Sequence, residues 1–321
     1  MSTPPLQRPS EHPTIAWTLF AALAAGGLIT GDAYLASLLT KAMILALAAI
    51  SLDLLIGRAG LVSFGHAAFL GLGAYTAGIA IEEGVEETLT ILALTVAVSA
   101  GFAAITGAIA LRTAGVYFIM ITLAFGQMLF FAASALSQYG GDDGLTLWST
   151  STLLGTGVMQ SDGGLFLVIL AMLALGWLVA GRLAASRFGR VLAAAKEAEV
   201  RVETLGFDPF AYRLAAYVIA GVIAGVAGFL LAHEAEFVSP ATMAWQRSGD
   251  LIIIVLIGGM GTRNGALIGA LAFVGLEEGL ARVLDEWRLV FGPLLILLVL
   301  FARGGLSSAI DAGLRRREAA A

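Results

Sequence analysis

Apolar and polar positions divide the chain into ten apolar runs, at residues 15–30, 34–57, 60–81, 89–111, 114–136, 165–181, 212–232, 249–261, 264–280 and 289–302. Most approach the ~20 residues that a helix needs to cross a bilayer. The two runs flanking residues 258–265 are short for complete crossings. They read either as tilted helices or as a re-entrant hairpin shielded by its neighbours, since exposed non-helical backbone is not tolerated in hydrocarbon. The first run fits a signal anchor as well as a signal peptide, and no clear small-residue cleavage site precedes the next run. The pattern predicts an all-α polytopic bundle of about 8–10 spans, including short or broken helices. It forms one membrane domain over 15–302, between tails at 1–14 and 303–321, with a long polar loop at 182–211.

Composition strengthens this reading and removes others. Apolar residues make up 59% of the 321 positions without counting 40 glycines, and charged residues only 13%, against ~25% charged in soluble domains. A soluble globule so composed lacks the polar surface to cover its core. A net charge of −5 disfavours nucleic acid as a partner. With no Cys and three His, the chain has no thiolate chemistry, no HExxH and no i, i+4 His pair. The glycine-rich stretch at 258–265 contains no GxxxxGK[ST], and a GxGxxG begun at Gly259 fails at Asn264, so it reads as a tight turn between helices. No catalytic residue and no metal ligand is expected.

Basic residues near span ends are retained on the cytoplasmic side. Arg182, Arg187, Arg190, Lys196 and Arg201 mark loop 182–211 as cytoplasmic, and Arg303, Arg315, Arg316 and Arg317 mark the C-terminal tail. Arg58, Arg112 and Arg263 then also fall inside. Glu82, Glu83, Glu86, Glu87, Asp142, Asp143, Glu234 and Glu236 fall outside, and both termini are cytoplasmic. Gly221 with Gly225, and Gly265 with Gly269, have the spacing that lets helix backbones approach closely in lipid.

Ionisable groups inside apolar runs are functional candidates because a charge in hydrocarbon is expensive. Lys41 reads as an interfacial anchor, and Asp53 as a carboxylate near the inner boundary. His66 closes the small and polar stretch Gly60-Leu61-Val62-Ser63-Phe64-Gly65, which suits either a lined path or a satisfied structural imidazole. No acid–base relay spans the membrane. In the long loop, Arg187-Phe188-Gly189-Arg190 leads into a helix-favouring segment at 191–205 that stops at Gly206-Phe207-Asp208-Pro209. Such a helix is either a lipid-surface anchor or a projection gripped by a soluble motor.

Four stretches together resemble the permease subunits of bacterial branched-chain amino-acid ABC importers, on the LivM branch. They are Leu52-Asp53-Leu54-Leu55-Ile56-Gly57 through His66 to Gly73-Ala74-Tyr75; Gly115-Val116-Tyr117-Phe118 with Thr122-Leu123-Ala124-Phe125-Gly126 and Gly140-Gly141-Asp142-Asp143-Gly144; the loop from Arg187 to Pro209; and Gly258-Gly259-Met260-Gly261-Thr262 with Gly265. The resemblance covers residues 35–306 and implies that the loop is a coupling element docking on a cytoplasmic ATPase through Arg187, Gly189, Arg190, Glu199 and Gly206. The usual Glu-Ala-Ala, three residues, Gly signature is altered: Val200-Arg201-Val202 precede Gly206, and Glu199 stands one position early. Asp53, Ser63, His66, Tyr75, Thr122 and Gln127 are the expected path or helix-packing residues, Gln127 standing where many relatives are acidic. The resemblance implies two ATPase subunits that carry ATP and Mg, a second related permease, a periplasmic binding protein, an inner-membrane location, and leucine, isoleucine or valine as cargo. Urea or another small polar solute is the alternative, ahead of an ion-coupled carrier or an intramembrane enzyme.

Overall fold

A computed structural model describes residues 13–29, 32–283, 286, 289–293, 296 and 304–308. Helix α1 (Pro13–Ile29) is followed by α2 (Ala33–Asp53), which continues as a π-helical turn over Leu54–Ala59. Then come α3 (His66–Glu82), α4 (Thr88–Ala110), α5 (Val116–Ser134), α6 (Asp162–Ala185), α7 (Arg187–Glu197), α8 (Glu199–Thr204), α9 (Pro209–Ala235), α10 (Trp245–Gly258) and α11 (Gly265–Val283). Among the described residues, five stretches are long and apolar enough to cross a membrane: Ala33–Ala59, Thr88–Ala110, Val116–Ser134, Asp162–Ala185 and Pro209–Ala235. The chain is thus an all-α, multi-pass bundle. Local chemistry sets several helix starts. Asp32, Ser161, Ser186 and Asp208 each accept a hydrogen bond from a backbone N–H of the first turn, and Pro209 follows Asp208 at a position where its missing N–H costs nothing.

Helix α3 is the centre of the packing, with 13 of its 17 residues buried. By contrast, α5 buries four of 19 and α6 five of 24, so these two lie at the periphery. Backbone contact through glycine holds the centre together. A Cβ on Gly73 would lie 1.9 Å from the Gly225 carbonyl oxygen, and one on Gly228 would lie 1.8 Å from that of Leu70, so α3 and α9 touch main chain to main chain. Gly221 and Gly225 meet Ala103 and Ser99 of α4, and Gly269 meets the Ile254 carbonyl of α10. The small-residue spacings in the sequence are therefore intrachain packing sites.

Several expected boundaries change. The run at 60–81 is not one helix, because residues 60–65 are non-helical and α3 begins at His66. Gly60 ends the preceding π turn at φ +69°, a conformation that only glycine adopts without strain. The run at 249–261 becomes α10, which starts at Trp245 and carries Arg247 and Asp250 within it. At 14 residues, or ~21 Å, it is too short to cross by itself. The helix expected at 191–205 is two, divided at Ala198 (φ −154°), and Arg187-Phe188-Gly189-Arg190 is already its first turn. A two-residue antiparallel pair, β1 (Leu145–Thr146) with β2 (Phe237–Val238), joins the α5–α6 connection to the α9–α10 connection. Most of tails 1–14 and 303–321, and most of the run at 289–302, lie outside the described residues.

Candidate functional site

Charged residues gather at the two ends of the bundle. At one end Leu55, Ala59, Leu111 and Leu192 share a cluster, which brings Arg58, Arg112 and the basic loop together. At the other end Tyr139 donates to Glu83 at 2.7 Å, Ser37 donates to Glu234 at 3.2 Å, and Lys41 pairs with Glu277 at 3.1 Å. The adjacent Glu83 carboxylate, followed by partial burial, pushes the Tyr139 phenol above its ordinary pKa. Lys41, read as an interfacial anchor, thus has a carboxylate partner on α11.

The break before α3 is the first candidate feature. A 17-residue helix is ~25 Å long, short of ~30 Å of hydrocarbon, and the non-helical residues 60–65 that precede it are largely covered by other helices. α5 shields them closely: a Cβ on Gly65 would sit 2.0 Å from the Thr122 carbonyl oxygen, and one on Gly126 would sit 3.2 Å from the Gly65 Cα. The Ser248 hydroxyl of α10 accepts the Ala67 N–H at 3.0 Å and satisfies one of the open donors at the start of α3. Ser63 is fully buried, and its hydroxyl and that of Thr106 face the Tyr217 phenol.

His66 is fully buried, with Nε2 2.7 Å from Ser51 Oγ. Ser51 must spend its single proton on the Ala48 carbonyl oxygen, 2.6 Å away, so the imidazole donates from Nε2 and Nδ1 is the unprotonated nitrogen. Nδ1 is buried without a hydrogen-bond partner. His233, near the other end, has the opposite tautomer. Its Nδ1 donates to the Phe229 carbonyl at 2.9 Å, Ser151 donates to its Nε2 at 2.8 Å, and Thr88 donates to Ser151 at 2.7 Å. That chain is fully satisfied and ties the α5–α6 connection to α4 and α9.

The second feature is the loop. Phe188 stacks on Tyr212 at 5.6 Å and Phe207 meets the same ring edge-on at 6.1 Å, fixing α7 and the turn after α8 to α9. Gly189 lets α7 fold back on α6, since a Cβ there would lie 2.5 Å from the Leu183 and Ala184 carbonyl oxygens. Arg190 donates to the Ala185 carbonyl at 3.1 Å, while Arg187 is exposed. Glu199 pairs with Arg213 of α9 at 2.8 Å. Gly206 takes φ +86° with no atom within 4 Å of a built Cβ, so its requirement is conformational and not one of space. Lys196 reaches inward and donates to the carbonyls of Gly57 at 3.0 Å and Ile56 at 3.3 Å in the π turn. Val200 and Leu205 are 72% and 70% exposed, which leaves an unpartnered apolar edge on α8 and the turn after it.

Ser63, His66 and Thr122 therefore gather at the start of α3. The other path candidates do not. Asp53 accepts the Gly261 N–H at 2.7 Å at the basic end, Tyr75 is buried nine residues further along α3, and Gln127 is half-buried on α5. Ser51, Ser248, Lys196 and Arg213 make contacts to the candidate residues and elements that sequence reasoning missed. A serine within the apolar run at 34–57 was the available signal for Ser51, and Ser248 stands just ahead of the run at 249–261; nothing local distinguishes Lys196 or Arg213 from solvated charges.

The family described as "Branched-chain amino acid transport system / permease component" matches residues 34–300. The high-affinity branched-chain amino acid transport system permease protein LivM of Salmonella typhimurium is 29% identical over 291 residues, 83% of this chain and 68% of that protein. LivM of Escherichia coli K12 is 29% identical over 294 residues with the same coverage. The autoinducer 2 import system permease protein LsrC of Photorhabdus laumondii is 26% identical over 160 residues, 48% of this chain and 47% of that protein. No solved structure matches. With the family match spanning most of a multi-pass helical bundle, the chain belongs to the permease components of branched-chain amino acid transport systems.

Proposed function

We propose that the chain is the membrane-spanning permease subunit of a binding-protein-dependent importer in the bacterial inner membrane, moving leucine, isoleucine or valine. Two cytoplasmic ATPase subunits carry the ATP and Mg, a second related permease completes the passage, and a periplasmic binding protein delivers the cargo. The observation that carries this reading is the loop. Aromatic packing fixes α7 and α8 to α9, the loop presents Val200 and Leu205 outward, and through Lys196 it grips the backbone just before the break that leads into α3. An element pinned on its inner side and apolar on its outer side suits transmission of force from a soluble partner. The path candidates near α3 offer hydroxyls and a neutral imidazole with no fixed charge, which suits a zwitterion with an apolar side chain. The partial likeness to the LsrC permease favours a second reading, a small polar solute that is not an amino acid.

The test is reconstitution of the chain with its partner subunits in proteoliposomes containing ATP, with labelled leucine and labelled urea offered in parallel. Binding-protein-dependent, ATP-dependent leucine uptake is expected. Urea uptake without leucine uptake removes the cargo assignment and leaves the importer assignment; uptake driven by an ion gradient without ATP removes both.

A further inference from the structure

At the basic end of the bundle, a cavity of about 520 Å³ opens between α6, the π turn and the α10–α11 turn. That is within the ~300–1,000 Å³ of ordinary small-molecule clefts. Among the described residues, three arginines far apart in sequence line it: Arg58 of the π turn, Arg190 of α7 and Arg263 of the α10–α11 turn. One carboxylate, Asp53, shares the lining, and its Oδ1 is held by the Gly261 N–H. Among the described lining residues the arginines outnumber the carboxylate.

Arg263 is pre-positioned. Its guanidinium lies 3.9 Å over the Trp177 ring, and the Trp177 indole N–H donates to the Arg263 carbonyl at 3.0 Å, so ring and arginine fix one another. Gly181 of α6 makes room for it, because a Cβ there would lie 2.9 Å from Arg263 Nε. The remaining wall is apolar, from Leu54, Ala180 and Ala184. It is partly formed by α6, a peripheral helix with most of its surface unburied. A positive floor beside an apolar wall, at the end of the bundle where basic residues collect, matches a phosphate group carrying acyl chains. Arginine forks suit phosphate oxygens better than a point charge does.

We infer that this cavity binds a phosphate group, and that its source is the headgroup of an anionic phospholipid lodged against α6. The inference needs only the membrane setting of the bundle and does not depend on the importer reading.

The full-length protein, purified in detergent and stripped of lipid, would be titrated with phosphatidylglycerol, phosphatidylcholine and inorganic phosphate, with bound species counted by native mass spectrometry. Phosphatidylglycerol is expected to bind in preference to phosphatidylcholine. Arg58→Gln/Arg190→Gln should weaken it about 30-fold, from the contribution of two basic groups. Arg112→Gln, at an exposed arginine outside the cavity, should leave it unchanged. Ala184→Trp keeps all three arginines but fills the space, and it should abolish binding even where the double variant fails to accumulate. Phosphate binding that is lost in these variants, without preference for phosphatidylglycerol, would support the phosphate site and overturn the lipid source. Equal binding of the two lipids with no phosphate binding, or a phosphatidylglycerol preference unchanged in both variants, would overturn the site.

Discussion

Gly73 and Gly101 both sit inside helices of an apolar sequence, yet their surroundings are opposite. A methyl at Gly73 would press on the Gly225 carbonyl oxygen at 1.9 Å, whereas one at Gly101 meets nothing within 4 Å. Backbone cannot move aside as a flexible side chain can, so Gly73→Ala should cost about 1–3 kcal/mol or more through forced separation of α3 from α9. Gly101→Ala should stay within about 0.5 kcal/mol. Thermal unfolding of the two variants in the same detergent checks this; equal midpoints would contradict the close α3–α9 approach. His66 follows the same logic in polar terms. Its Nε2 satisfies Ser51 while Nδ1 stays unpaired, so His66→Leu strips Ser51 of its donor and should cost about 1–3 kcal/mol. His66→Asn, which retains a side-chain N–H donor, should recover part of that loss.

Among the elements, the loop helices carry the most testable claim. Lys196 supplies an ammonium to two carbonyls of the π turn, and the break at 60–65 follows directly. Lys196→Met keeps the length of the stem but removes the donor. Transport by the assembled complex should fall at least about tenfold, the order expected when a charged hydrogen bond worth ~1.5–3 kcal/mol is lost, while basal ATP hydrolysis persists. Lys196→Arg should restore part of the transport. Parallel loss of ATPase binding would instead place Lys196 in docking. Gly206→Val tests the turn after α8, since φ +86° strains a β-branched residue by roughly 1–3 kcal/mol. Retained membrane insertion with lost coupling is expected, and normal coupled transport would take Gly206 out of the mechanism. The loop's glycine stop was readable from the sequence. The division at Ala198 was not, because tertiary packing on α9 sets it against a continuous helix-favouring sequence.

For the whole molecule, the placement of the loop arginines predicts a topology that the absence of native Cys makes easy to measure. Single cysteines replacing Glu86 and Asp143 should react with an impermeant thiol reagent in intact cells, and one replacing Arg201 only after the membrane is opened. Labelling of position 201 from outside would reverse the orientation and remove the loop from contact with a cytoplasmic partner.

The sequence alone determined the membrane class, the all-α architecture and the basic loop, because hydropathy, charge bias and glycine content act over whole segments and survive without knowledge of neighbours. It also marked Gly206, since a helix stop is a local event. Tertiary structure decided what depended on distant partners: that the run at 60–81 breaks at His66, where α5 covers the backbone; that Glu199 is tied to Arg213; and that Lys196 reaches the π turn. It alone brought Arg58, Arg190 and Arg263 around one cavity. Each of these is a contact between residues separated in the chain, and the energy that selects it lies in packing and hydrogen bonds that no local pattern contains.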